Sequence, residues 1–215
     1  MTSKTNAPQE QDGKERLLQA AIESFSALGY EGTSTTKLAR AAKVAQPLVY
    51  HHFGSKEELW KAAMNHVFGQ MREVTSPDPS LPPHDALLKS LENFLRFNAN
   101  HPHVARLVTH EATSPSPRLT WLIETHLRDQ YDAVISMFKL GQAQGTLDPS
   151  LRPELLLFYV LGSSHHFFVN APMVKEALGL EPFGEDREPF IRMAVEVFAR
   201  GLIPRSGDHD PDPTT

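Results

Sequence analysis

Between Thr33 and Lys56 the apolar residues are spaced for two short helices with one tight break between them. Leu38, Ala39 and Ala42 form a short apolar face, Val44 sits in the break, and Val49 and Phe53 resume at helical spacing. Ser34 is placed to cap the first helix, and Pro47 stands near the start of the second, where a missing N–H costs nothing. The pattern predicts a helix-turn-helix. The same stretch carries Lys37, Arg40, Lys43 and Lys56 with no acidic residue, although the chain as a whole has a net charge of -5. So local a basic excess points to a polyanion, the alternative being a solvated basic face on a helical protein.

Positions four apart share a helix face, so Val49 and Phe53 turn back towards the first helix while Gln46, Tyr50 and His52 face outward. This outward set suits a DNA groove. A glutamine bridges adenine N6 and N7 or bonds guanine, Pro47 or Leu48 at the helix entrance meets a thymine methyl, and the Tyr50 hydroxyl or Lys56 holds a phosphate.

The runs Lys14-Glu15-Arg16-Leu17-Leu18 to Phe25-Ser26-Ala27-Leu28-Gly29-Tyr30, Thr33-Ser34-Thr35-Thr36-Lys37-Leu38-Ala39, and Tyr50-His51-His52-Phe53-Gly54-Ser55-Lys56-Glu57-Glu58-Leu59 resemble the N-terminal domain of the TetR family of transcriptional repressors. The resemblance covers about a quarter of the chain. Gln46-Pro47 followed by Tyr50 and His52 also resembles the recognition helix of the family's namesake. It implies an operator-contacting set of Thr33, Ser34, Thr36, Lys37, Gln46, Pro47, Leu48, Tyr50, His51, His52 and Lys56. Two positions depart from the pattern. Lys43 stands where many members have a turn glycine, and Ala45 stands where a Ser or Thr usually caps the recognition helix, a loss of about 1 kcal/mol that Pro47 partly offsets.

The remainder of the chain reads as helical, with no convincing alternating strand and no internal repeat. The opening helix, about 13–28, places Leu18, Ile22, Phe25 and Leu28 on one stripe and ends at Gly29. Ser55-Lys56-Glu57-Glu58 is a capping box that opens a helix to about Val74. A Pro-rich loop at 76–83 stops it. Further helices are expected at about 84–100, 103–112, 118–144 (after Ser114-Pro115-Ser116-Pro117), 153–170 and 188–202. The expected fold is all-α: a three-helix DNA-binding domain at 13–60, then a larger helical ligand-binding and dimerisation domain at 61–203. Residues 1–12 form a disordered arm and 204–215 a disordered tail.

Residues 1–61 hold eight Lys or Arg against seven Asp or Glu, whereas residues 62–215 hold thirteen against nineteen. One copy of the first part would bind DNA weakly, because affinity follows the number of phosphates neutralised; two copies on one operator remedy this. The partners expected are double-stranded operator DNA, a second copy and a small-molecule effector, with no membrane and no cofactor. The chain lacks cysteine, which excludes disulfides and thiolate metal sites. Polar residues 1–12 hold no signal-peptide core and no run approaches the roughly 18 apolar residues of a membrane span, so the expected location is the cytoplasm.

Leu155 to Leu161 is apolar on every side and must be covered on every side. With the stripe of the last helix it predicts a dimer interface containing Leu157, Phe190, Met193 and Val197. Residues 100–202 resemble the ligand-binding domain in the branch of the family that includes the repressor of pyrimidine catabolism, on Pro102 to Glu111 and Ser163-Ser164-His165-His166-Phe167. Leu161, His165 and Phe168, spaced i, i+4 and i+7, are expected to wall an effector cavity that Phe97 and Trp121 close from the other side. Plain core packing is the competing reading for Trp121, Phe138, Phe158 and Phe168. His101, His103, His110, Glu111, His165 and His166 invite a metal site, but His101-Pro102-His103 spans a helix start and adjacent histidines cannot share a face, so none is expected. A second function remains open: a helical enzyme or carrier whose DNA-binding domain is vestigial, though no phosphate loop, nucleophile elbow or helical metal motif is present.

Overall fold

The computed structural model describes residues 7–204, apart from the side chains of residues 7–10 and of His165. The tail at 205–215, the first half of the proposed arm and the His165 side chain therefore lie outside the described residues. The elements, in order, are α1 (Ala7–Gly32), α2 (Thr35–Ala41), α3 (Pro47–Phe53), α4 (Lys56–Thr75), α5 (Pro83–Asn100), α6 (Pro102–Ala112), α7 (Pro117–Leu122), a π-helical turn (Ile123–Leu127), α8 (Arg128–Ala143), α9 (Pro153–Val169), α10 (Ala171–Leu178) and α11 (Arg187–Leu202). No strand occurs among the described residues.

The chain divides into two compact units, residues 1–73 with 100–128 and residues 74–99 with 129–215. The cut expected after residue 60 thus falls inside α4, and α6 and α7 belong with the N-terminal helices. The physical reason is packing of α6 on α1: the His110 ring nitrogen Nε2 sits 3.2 Å from the carbonyl oxygen of Ser26. A Cβ on Gly29 would lie 3.3 Å from that ring, and Gly29 has φ +69°, so both space and backbone favour glycine there. Gly29 interrupts the helical dihedrals of α1 where the regular helix was expected to end.

Two expectations for α1 are corrected. The helix begins at Ala7 rather than Gly13, and its buried stripe is Leu17, Ala21, Ile22 and Phe25, with Leu28 exposed. Leu28 follows that stripe by three residues, directly before the break in helical dihedrals at Gly29, and is left 53% exposed. The core of this unit joins those residues to Leu38, Val49, Leu59, Trp60, Met64, Phe68, Leu107 and Leu122.

The second unit is built on Leu87, Leu91 and Leu95 of α5, Phe138 of α8, Phe168 of α9, and Ile191, Phe198 and Leu202 of α11, with Leu147 from the loop after α8. Arg96 of α5 reaches Glu188 of α11 at 2.9 Å and Glu92 at 3.0 Å, tying the start of α11 to α5. Sequence reading missed α10. It is a single short helix with Pro172 in its first turn, and Gly179 ends it in the left-handed region at φ +68°.

Candidate nucleic-acid interface

The recognition segment forms as its spacing predicts, with Leu38, Ala39, Ala42 and Val49 buried. The break between α2 and α3 is carried by Lys43, whose φ of +56° is the one positive value among described non-glycine residues. A side chain in that region costs about 1–2 kcal/mol. The site that many relatives give to glycine therefore keeps a glycine conformation with a lysine in it.

No side chain caps α3. Its first turn is closed by backbone bonds from Leu48 N–H to the Ala45 carbonyl and from Val49 N–H to the Gln46 carbonyl, each 3.0 Å, with Pro47 at the first helical position. Ser34 caps α2 by backbone geometry, without a side-chain bond. At α4, Ser55 Oγ accepts the Glu58 N–H at 3.1 Å, which is one half of the predicted capping box; the Glu58 carboxylate is held instead by Lys61 at 2.9 Å.

The candidate contacts separate into three groups. Thr36, Lys37, Gln46, Pro47, Tyr50 and His51 are exposed on the two short helices, and Arg40 and Lys43 add positive charge beside them. Ser34, Leu48, His52 and Lys56 are half-buried. The Lys56 ammonium lies 4.3 Å from the centre of the Tyr30 ring, so its charge is held at the start of α4 by a cation–π contact. Thr33 is a correction: it is only 4% exposed, and its hydroxyl donates to the Gly29 carbonyl at 2.8 Å, closing the end of α1. The Thr35 and Tyr50 hydroxyls lie 3.3 Å apart and join the N-terminus of α2 to the middle of α3, a tie that spacing alone did not reveal.

The effector set is divided. Trp121 belongs to the first unit; Phe97, Leu161 and Phe168 belong to the second. Phe168 is 2% exposed and packs on Phe183 and Phe190 at ring separations of 6.0 and 5.6 Å, so it is a core residue rather than an accessible wall. Phe97 is buried as well. Trp121 lies against Trp60 at 5.5 Å and meets His126 at 5.3 Å, edge to face. His126 was not singled out from sequence, because nothing in its neighbours announces burial. Burial and the Arg72 charge push its imidazole below the ordinary histidine range. Of the histidines once weighed as metal ligands, His110 is engaged by the Ser26 carbonyl, and His101 and His103 pack ring to ring at 5.8 Å.

Leu157 is corrected in the interface set: at 5% exposure it faces the core, because α9 turns that side towards its own unit. Leu155, Phe158 and Tyr159 occupy the outward side, with Phe158 65% exposed. Met193 and Val197 are exposed on α11, while Phe190 is half-buried and stacked on Phe167 at 4.0 Å. No helix among the described residues is long and apolar enough to cross a membrane.

Residues 17–63 match the family model described as bacterial regulatory proteins, tetR family. HTH-type transcriptional regulator RutR of Escherichia coli (strain K12) is 25% identical over 197 residues, covering 89% of this chain and 91% of the relative. Tetracycline repressor protein class D of Escherichia coli is 27% identical over 196 residues, covering 86% of this chain and 78% of its own length. The crystal structure of AibR in complex with isovaleryl coenzyme A and operator DNA has the same fold, with a TM-score of 0.70, 19% identity, and coverage of 89% of this chain and 98% of that one.

Proposed function

We propose that this chain, a TetR-family transcriptional regulator, acts as a dimeric repressor that leaves its operator when a small molecule occupies the helical region beyond the DNA-binding helices. The observation that carries the DNA part is that the acid-free helices α2 and α3, with the turn between them, expose Lys37, Arg40 and Lys43 together with Gln46 and Tyr50. Lysine and arginine supply phosphate affinity, and glutamine supplies base readout. In a dimer the two copies of α3 enter successive major grooves, about 34 Å apart.

The second copy is supported by the outward apolar sides of α9 and α11, which bear Leu155, Phe158, Tyr159, Met193 and Val197. A patch of this kind marks an interaction surface. Effector release is supported by the relatives, since a tetracycline repressor and an acyl coenzyme A-bound regulator share the fold. The alternative of an enzyme or carrier finds no support in these relatives, which are transcriptional regulators. The place of action is the cytoplasm, where operator DNA lies.

The test is binding of the purified protein to the DNA upstream of its own coding region, followed at increasing salt. Tight binding that weakens steeply with salt is expected. Binding no tighter than to random DNA at every salt concentration would overturn the reading.

A further inference from the structure

Lys56 is the first residue of α4, and the carboxylates beside it are taken: Glu57 and Glu58 both pair with Lys61, at 3.0 and 2.9 Å. A cation at the head of a helix also stands at the positive end of the backbone dipole, which disfavours it there in the absence of an anion. What holds the Lys56 ammonium is an aromatic face, with the centre of the Tyr30 ring 4.3 Å away. A lysine steadied in this way has less rotamer freedom left to lose when an anion arrives. The first-turn N–H groups of the same helix head favour an anion as well.

The ring is itself fixed by three neighbours. Phe25 lies parallel to it at 5.9 Å with planes 9° apart, Trp60 meets it edge-on at 6.3 Å, and the Arg118 guanidinium lies 3.9 Å from its centre. Arg118 is held in turn by Glu111 at 3.2 Å and by Glu31 at 3.4 Å, so its place does not depend on the ring alone. All of these residues belong to the first unit.

We propose that Tyr30 is a positioning residue for DNA binding: its ring holds the Lys56 ammonium ready for a backbone phosphate and strengthens binding through that lysine. The proposal rests on the DNA-binding reading above and adds to it a residue outside the two short helices. Tyr30 brings no charge of its own, so it alters affinity without altering the number of phosphates neutralised.

The test is a double-variant cycle on the upstream DNA and on random DNA. Tyr30→Leu is expected to weaken both about threefold per half-site and to leave the slope of log affinity against log salt unchanged, whereas Lys56→Ala lowers that slope by about one per half-site. In the Lys56→Ala background Tyr30→Leu should have no further effect, and Tyr30→Phe, which keeps the ring, should bind like wild type. A loss as large in the Lys56→Ala background as in wild type would make Tyr30 a packing residue only. A loss in Tyr30→Phe equal to that in Tyr30→Leu would give the effect to the hydroxyl. Either result overturns the proposal. Should Tyr30→Leu fail to fold, proton NMR of the wild-type protein decides. The Lys56 ε-methylene protons, assigned by their absence in Lys56→Ala, are expected upfield of those of the other lysines through the Tyr30 ring current, and an unshifted resonance overturns the proposal. Wild-type protein that binds no DNA at any salt concentration sinks the regulator reading, a failure told apart by the proton shift, which needs no DNA.

Discussion

The guanidinium of Arg118 lies 3.9 Å from the centre of the Tyr30 ring, joining the start of α7 to the end of α1. The same side chain donates from Nε to Glu111 Oε2 at 3.2 Å, and that carboxylate is almost fully buried. Tyr30 carries Lys56 as well, so one ring holds two cations within the first unit. Burial raises the Tyr30 hydroxyl above its ordinary range, with the Arg118 charge acting against it.

Arg118→Ala is therefore expected to destabilise the protein by about 3 kcal/mol, chiefly by leaving the Glu111 carboxylate buried and unpaired. Urea unfolding checks this. The double variant Arg118→Ala, Glu111→Leu should recover much of the loss; no recovery would place the effect in the Tyr30 contact instead.

Gln46→Ala is expected to cost about 1–3 kcal/mol on the operator and little on random DNA, since it removes a base-edge contact. Lys37→Ala should weaken both alike and lower the slope of log affinity against log salt by about one per half-site. Equal losses on the two DNAs for Gln46→Ala would remove it from base readout.

Lys43→Gly relieves a side chain at φ +56°. The relief of about 1–2 kcal/mol exceeds the added freedom of the unfolded chain, about 0.4–1 kcal/mol, so the variant is expected to be more stable. Thermal unfolding measures the gain. Its DNA affinity should still fall, because one positive charge beside the groove is lost.

Val197 is 58% exposed in a single copy, so Val197→Glu should leave an isolated chain folded. In the dimer proposed above, paired through α11, it would bury an unpaired carboxylate, costing several kcal/mol. Sedimentation is expected to show monomers, with operator binding lost. A soluble dimer that still binds DNA would move the interface elsewhere.

Acid sensitivity follows from His126, whose folded pKa is lowered from 6.5 by burial and then by Arg72. Below pH 6.5 the unfolded chain takes up a proton that the folded ring resists. Its stabilising contribution is thus complete above that pH and is lost as pH falls through the folded pKa. His126→Phe should flatten the decline in stability just below pH 6.5, and His103, which burial depresses too, contributes to the decline that remains. Identical pH profiles for wild type and variant would show that His126 does not titrate with unfolding.

Most helices were legible because their signals are local. Pro47, Pro83, Pro102, Pro117 and Pro153 sit in first turns, Gly54 ends α3 at φ +77°, and apolar residues recur at three and four positions. The helix-turn-helix and its outward Gln46 and Tyr50 were legible for the same reason, since face follows from spacing once the helix is granted, whereas His52, expected outward, is half-buried and His51 is the exposed histidine.

Burial of individual side chains was decided by partners far away in sequence. Thr33 turned inward to the Gly29 carbonyl, Leu157 faced its own core, and the ring of His110 met the carbonyl of Ser26, 84 residues away. The stranding of His126 between Phe68 and Trp121 is of the same kind. The sequence by itself determined most of the helical segments, α10 excepted, and the placing of Gln46 and Tyr50 on the outward side of the recognition helix, because those depend on contacts within a few residues. Only the tertiary structure decided which polar groups are satisfied and which are left without a partner, because desolvation depends on what the rest of the chain brings alongside.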